Sequence, residues 1–150
     1  VLRFIAASFK IITDLERIGD LATNLAGYAI DARQDVYTEV DVQRIGDAAL
    51  DMVDQAMDAY DTEDSDLCHS VAERDDALDD MCDDASQAIV RDIMTGGDFE
   101  GDEPEDVEEF LLDVRRLLLT VRDLERVGDH AVNIAARTFY MLENDDELLF

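Results

Sequence analysis

Helix breakers are almost missing from this 150-residue chain: its single proline is Pro104, and its one glycine-dense stretch is TGGDFEGDEP at 95–104. Elsewhere apolar residues recur every three or four positions, the spacing of one face of a helix, so the chain is expected to fold as long helices with short connections. Four are expected, over about residues 2–33, 38–61, 64–94 and 104–142. Asp64 and Ser65 can cap the third, and Glu103-Pro104 can open the fourth because proline is tolerated in a first turn. Helices of such length gain stability by burying a stripe against partners in a bundle. The stripes step by three and four: Val42, Ile45, Ala49, Met52 and Ala56 in the second helix, and Phe110, Val114, Leu117, Val121, Leu124, Gly128, Ala131 and Ala135 in the fourth. The predicted class is all-α, an antiparallel helical bundle.

With 47% hydrophobic residues the chain can build a real core, but its surface charge is extreme. Thirty-nine Asp and Glu against 12 Lys and Arg give a net charge of −27. Such a surface repels phosphate backbones and anionic lipid, which argues against direct nucleic-acid binding and against membrane insertion. The simplest source of the acid excess is a halophile-like surface kept hydrated in strong salt, and metal binding is the other. A site is therefore to be sought in where carboxylates sit, not in how many there are. Cys68 and Cys82 lack the spacing of a zinc site and are expected to be reduced, semi-buried thiols. No apolar run approaches the length of a membrane span and no signal peptide is apparent, which predicts a soluble, cytoplasmic protein. The chain opens directly on the apolar VLRFIAASFKII without an initiator methionine, as if its N-terminal part were incomplete.

One phrase occurs twice. DLERIGDLATNLA runs from Asp14 to Ala26 and DLERVGDHAVNIA from Asp123 to Ala135, identical at nine of thirteen positions. Two long helices sharing this much imply an internal duplication. If the fourth helix closes a three-helix unit made of helices two to four, the first closes an earlier unit whose other helices are absent from this sequence.

Each copy carries a glutamate and an aspartate four apart, Glu16 with Asp20 and Glu125 with Asp129. Four residues rotate by roughly 40° and rise about 6 Å, so the two carboxylates stack on one face. Like charges so placed repel, and a cation between them reverses the sign. Both pairs interrupt a mainly apolar row, which in the fourth helix is Leu118, Arg122, Glu125, Asp129, Val132, Ala136 and Phe139. The third helix has its own interruption: Asp75 stands in the stripe Val71, Leu78, Cys82, Ala85 and Ile89, with Asp79 one turn beyond it. A half-buried carboxylate seeks a proton or a partner.

Three arrangements satisfy these acids: a bound cation, ion pairs with Arg17, Arg74, Arg122 and Arg126, or plain solvation. An all-oxygen ligand set suits Mg²⁺, Ca²⁺, Mn²⁺ or iron rather than zinc. Gly19 and Gly128 each stand between the acids of a pair, where a missing Cβ would let a neighbouring helix or an ion approach. Asn24 and Asn133 could add a carbonyl ligand or form a helix-surface hydrogen bond. His69 and His130 stand alone without a Glu-x-x-His, the acidic DFEGDEPED reads as a solvated connection, and neither a phosphate loop nor a nucleophile with a base is visible.

DLERIGD and DLERVGDHAVNIAART resemble the signature of the PhoU family, whose members are built from two similar three-helix bundles. The resemblance implies residues 1–35 as the last helix of an incomplete N-terminal repeat and 36–150 as a complete C-terminal repeat. In that family an acid, three residues and an aspartate recur on helices, and some members hold multinuclear iron or other metal clusters there. Carried onto this sequence, the implied ligands are Glu16, Asp20, Glu125 and Asp129, joined by Asp75 and Asp79 on the preceding helix. The implied function is regulatory and not catalytic: restraint of the high-affinity phosphate transporter, with the transporter's ATPase subunit or a phosphate-sensing kinase as partner. The first helix, apolar on many sides, is expected either to fold onto its own unit or to pair with a second copy in a homodimer. Two rival functions stay open: a carboxylate-bridged metal oxidase, against which the missing Glu-x-x-His counts, and a purely structural or partner-binding helical module.

Overall fold

A computed structural model describes residues 1–32, 40–96, 101, 103–144 and 148–149. Four helices make up the fold: α1 (Leu2–Asp31), α2 (Val42–Thr62), α3 (Ser65–Thr95) and α4 (Pro104–Glu143), with no strand among the described residues. The expected boundaries differ from these by a few residues at most. The expected boundary between residues 35 and 36, and much of the acidic connection at 98–106, lie outside the described residues.

Local chemistry explains where the helices start and stop. The Asp41 carboxylate accepts from the Arg44 N–H at 3.0 Å, and Asp64 Oδ1 accepts from the N–H groups of Asp66 and Leu67 at 2.9 and 3.3 Å. Each satisfies donors that a first helical turn leaves free. Pro104 opens α4, whose Asp106 carboxylate accepts from the Glu103 N–H at 3.3 Å. Gly96 ends α3 at φ +67, a left-handed conformation that costs glycine nothing.

Helix directions follow from paired residues. Ser65 meets Glu143, and Cys82 Sγ meets the Val121 carbonyl at 3.8 Å, so α3 and α4 are antiparallel. Asp14 meets His130 and Tyr28 meets Asp123, which makes α1 antiparallel to α4 as well. Helix α4 is the central rod, packed by each of the other three, whereas α1 and α3 do not meet. The predicted stripes are the buried ones: Ile45, Ala49, Met52 and Ala56 of α2 close on Val71, Leu78 and Cys82 of α3 and on Val121, Leu124, Ala131 and Ala135 of α4. Fully burying residues such as Met52, Leu78 and Ile134 contributes about 1.5–3 kcal/mol each.

The first helix folds back onto its own chain. Ala7, Ile11 and Leu21 are buried, Phe4 stacks on Tyr60 at 6.0 Å between ring centroids, and the Ser8 and Tyr60 hydroxyls lie 2.7 Å apart. Its other side is bare: Phe9 is 67% and Ile12 59% exposed. Offset by 109 residues, exposed Ile5, Ile12 and Leu15 correspond to buried Val114, Val121 and Leu124 of α4. The uncovered face of α1 is thus the counterpart of the face that α2 and α3 cover on α4. No helix among the described residues is long and apolar enough to cross a membrane.

The two glycines of the repeated phrase have different roles. A Cβ on Gly128 would overlap Leu78 Cδ2 and meet Met52 Cε at 3.7 Å, while one on Gly19 would meet nothing within 4 Å. Gly128 admits a neighbouring helix, as the sequence suggested, and its occupant is a leucine rather than an ion. Gly128→Ala is expected to lower stability in urea unfolding by about 1–3 kcal/mol through overpacking. Gly19→Ala should raise it by about 0.5–1 kcal/mol through helix propensity alone. Equal stability of Gly128→Ala and the parent would show that Leu78 can turn aside freely.

Candidate metal centre

Leu78 seated on Gly128 brings α3 against α4 at the level where both helices carry acids. Asp75 and Asp79, one turn apart on α3, face Glu125 and Asp129, one turn apart on α4. One carboxylate oxygen from each of Asp75, Asp79 and Asp129 lies within 4.8 Å of the others, close enough to share a cation. Glu125 lies close enough to Asp79 that the charge of the aspartate raises the glutamate's carboxyl. Four of the six residues singled out from the sequence therefore converge.

The electrostatics are those of an uncompensated cluster. Burial first, and then the charges of Asp79, Asp129, Asp76 and Glu125, push the Asp75 carboxyl up to about 6. Asp79 and Glu125 are raised for the same reasons, burial leading and neighbouring carboxylates following. Asp129 is raised by loss of water at its carboxyl although the residue is exposed on one side, with His130 and Arg126 opposing the shift. The Oδ1 atoms of Asp75 and Asp79 are buried without a hydrogen-bond partner. Orphaned acceptors of this kind are costly in a folded chain unless a cation or proton satisfies them. Four carboxylates on two facing helices, with two such oxygens aimed inward, fit a hard cation and offer no soft ligand.

Among the described residues no arginine forms an ion pair with the cluster, although the charge of Arg126 opposes the upward shift of Asp129. The ion pairs among the described residues are Arg116 with Asp113 and Arg122 with Asp123, and neither these nor the His130–Asp14 hydrogen bond includes the four carboxylates. Glu16 and Asp20, by contrast, are exposed on α1 and join no carboxylate group of ligand geometry among the described residues.

Sequence reasoning missed the first residue of each phrase. Asp14 is buried, and its Oδ1 accepts from His130 Nδ1 at 2.9 Å and from Asn133 Nδ2 at 3.4 Å. Asp123 is wholly buried, accepting from the Tyr28 hydroxyl at 2.9 Å, which raises the tyrosine above the ordinary phenol range. His130 and Asn133 thus both meet a carboxylate of another helix, and His69 packs edge-on against Phe139 at 4.7 Å. A signal existed: Asp14 falls in the row Ala7, Ile11, Ile18, Leu21 and Leu25, an acid where an apolar residue belongs. Cys68 and Cys82 are free and fully buried, deeper than expected, and burial pushes their thiols up to about 11 and about 12.

Comparison with known proteins shows the family. Residues 1–29 and 42–138 match the PhoU domain family. The chain belongs to the PhoU family. A phosphate-specific transport system accessory protein PhoU homolog of Pseudomonas putida is 34% identical over 148 residues, covering 97% of this chain and 54% of the relative. Homolog 1 of the same name from Methanothermobacter thermautotrophicus is 31% identical over 144 residues, covering 94% of this chain and 61% of the relative. The crystal structure of PhoU from Pseudomonas aeruginosa superposes with a TM-score of 0.78 at 34% identity, over 96% of this chain and 65% of that one. This PhoU-family chain thus spans little more than half the length of the curated relatives it matches.

The raised carboxyls of this PhoU-family chain predict a sign for its pH dependence. Asp75 titrates at about 6 in the fold against about 3.9 unfolded. A group raised in this way destabilises the fold above its folded pKa, and the penalty fades as pH falls between those two values. In chelated buffer Asp75→Asn should melt higher than the parent at about pH 7, with the gap closing by about pH 4–5. A gap that does not change with pH in thermal melts would exclude the penalty.

Proposed function

We propose that this chain is a metal-binding regulatory bundle of a phosphate-specific transport system. The observation that carries the proposal is the α3–α4 cluster, in which Asp75, Asp79, Glu125 and Asp129 face one another with two buried oxygens unsatisfied and no cationic side chain paired to them. Mn²⁺, Mg²⁺, Ca²⁺ or iron would be held there by carboxylates alone, supplying the positive charge that turns the cluster from repulsive to attractive. Metal loading would then tighten α3 against α4, giving a regulator two states of different surface stiffness.

Membership of the PhoU family and the names of the relatives support the regulatory role. In this proposal the chain restrains the high-affinity transporter in the cytoplasm through the transporter's ATPase subunit or a phosphate-sensing partner. Residues 36–150 would form one complete three-helix repeat, and residues 1–35 the closing helix of another. The match between the bare face of α1 and the covered face of α4 supports that division. Glu16 and Asp20 would complete a second site only against further helices or a second copy. The −27 charge fits a salt-adapted surface and a cationic docking partner.

Adding Mn²⁺ at about a hundred times its dissociation constant should stabilise the parent by about 2.7 kcal/mol, a rise of roughly 5–10 °C in melting temperature. Glu125→Ala with Asp129→Ala should abolish that rise and the bound metal measured by elemental analysis, with helicity retained. Glu16→Ala with Asp20→Ala should leave both in place. Metal content unchanged by the first pair of substitutions would sink the site.

A further inference from the structure

Helix α1 supplies no residue to the acidic cluster, yet it grips α4 at both ends of the ligand row. Beyond Asp129, the buried Asp14 carboxylate takes His130 Nδ1 at 2.9 Å and Asn133 Nδ2 at 3.4 Å on the same oxygen. Before Glu125, the Tyr28 hydroxyl donates to Asp123 Oδ2 at 2.9 Å, and the other Asp123 oxygen accepts from Arg122 at 3.2 and 3.3 Å. Asp123 is wholly buried and Asp14 nearly so, so neither carboxylate can exchange these donors for water. Between the two grips, Leu78 of α3 presses on Gly128. Since α1 and α3 pack on α4 without touching each other, the segment from Asp123 to Asn133 is held from two separate sides.

We propose that α1 is a splint for the acidic centre, with Asp14 and Tyr28 as positioning residues that hold Glu125 and Asp129 in register with Asp75 and Asp79. The inference rests on the metal-binding function proposed above and extends it to a helix that contributes no ligand there. Its physical basis is the mutual repulsion of four carboxylates, which pushes α3 and α4 apart unless α4 is braced from behind. A ligand row fixed in advance also avoids the ordering cost that a floppy row meets on binding. The opening aspartates of the two phrases share this work: each ends against the helix that carries the other phrase.

The test uses Mn²⁺ followed by electron paramagnetic resonance, in a parent carrying Glu16→Gln and Asp20→Asn so that the exposed pair on α1 cannot bind. Combining Asp14→Ala with Tyr28→Phe should weaken Mn²⁺ binding by about tenfold or more, as loss of groups that orient ligands commonly does, and should alter the spectrum of the bound ion. Ile11→Ala, which loosens α1 through a buried apolar side chain one turn from Asp14 while keeping both hydrogen-bonded grips, should lower the melting temperature at least as much and leave affinity and spectrum unchanged. If the combined variant does not fold, Asp14→Asn and Tyr28→Phe separately should each show a smaller loss of the same kind. Unchanged binding by these variants, or an equal loss in Ile11→Ala, would overturn the splint while leaving the metal site standing. A parent that takes up no Mn²⁺ would overturn both.

Discussion

Leu78 occupies the space that a Cβ on residue 128 would need, and most of the molecule is arranged around that contact. It draws α3 onto α4, and the acids one turn before and immediately after each residue then come into a common volume. Packing and charge oppose each other there: apolar burial closes the helix pair, and the carboxylates it brings together resist. The buried stripes of α2, α3 and α4 supply many side chains of about 1.5–3 kcal/mol each, enough to hold a cluster whose repulsion is partly relieved by protonation. Four acids are thereby gathered beside the close contact of two helices.

Much of this was legible before any coordinates. Helix positions followed from breaker scarcity and period, and the buried stripes of α2 and α4 followed residue by residue because a single register serves a whole helix. Asp75 announced itself by interrupting an apolar row, and the pairing of Asp75 and Asp79 with Glu125 and Asp129 followed once the two helices were antiparallel neighbours. What escaped was every polar contact between α1 and α4. Asp14 and His130 are 116 residues apart in sequence, and nothing local couples them. The same phrase that marked Glu16 and Asp20 as equals of Glu125 and Asp129 could not show that only one pair meets acids from another helix. Gly19 illustrates the point: identical in sequence to Gly128, it faces open space.

The repeated phrase is therefore read on two sides of the helix at once. Its glutamate, glycine and second aspartate belong to the face that α3 covers on α4 and that stays bare on α1. Its first aspartate belongs to the face where the two phrases meet. Arg122, just before the second phrase, pairs with the buried Asp123, where a charge without a partner would be most costly.

Cys82 lies in the seam between α3 and α4, its Sγ 3.8 Å from the Val121 carbonyl of the opposing helix and its thiol pushed up to about 12. Reagents reach such a sulfur only when α3 and α4 part. The molecule thus carries a native clock for the separation of its ligand-bearing helices: the rate at which Cys82 takes up a thiol label reports how often that seam opens, without any foreign probe introduced into the bundle.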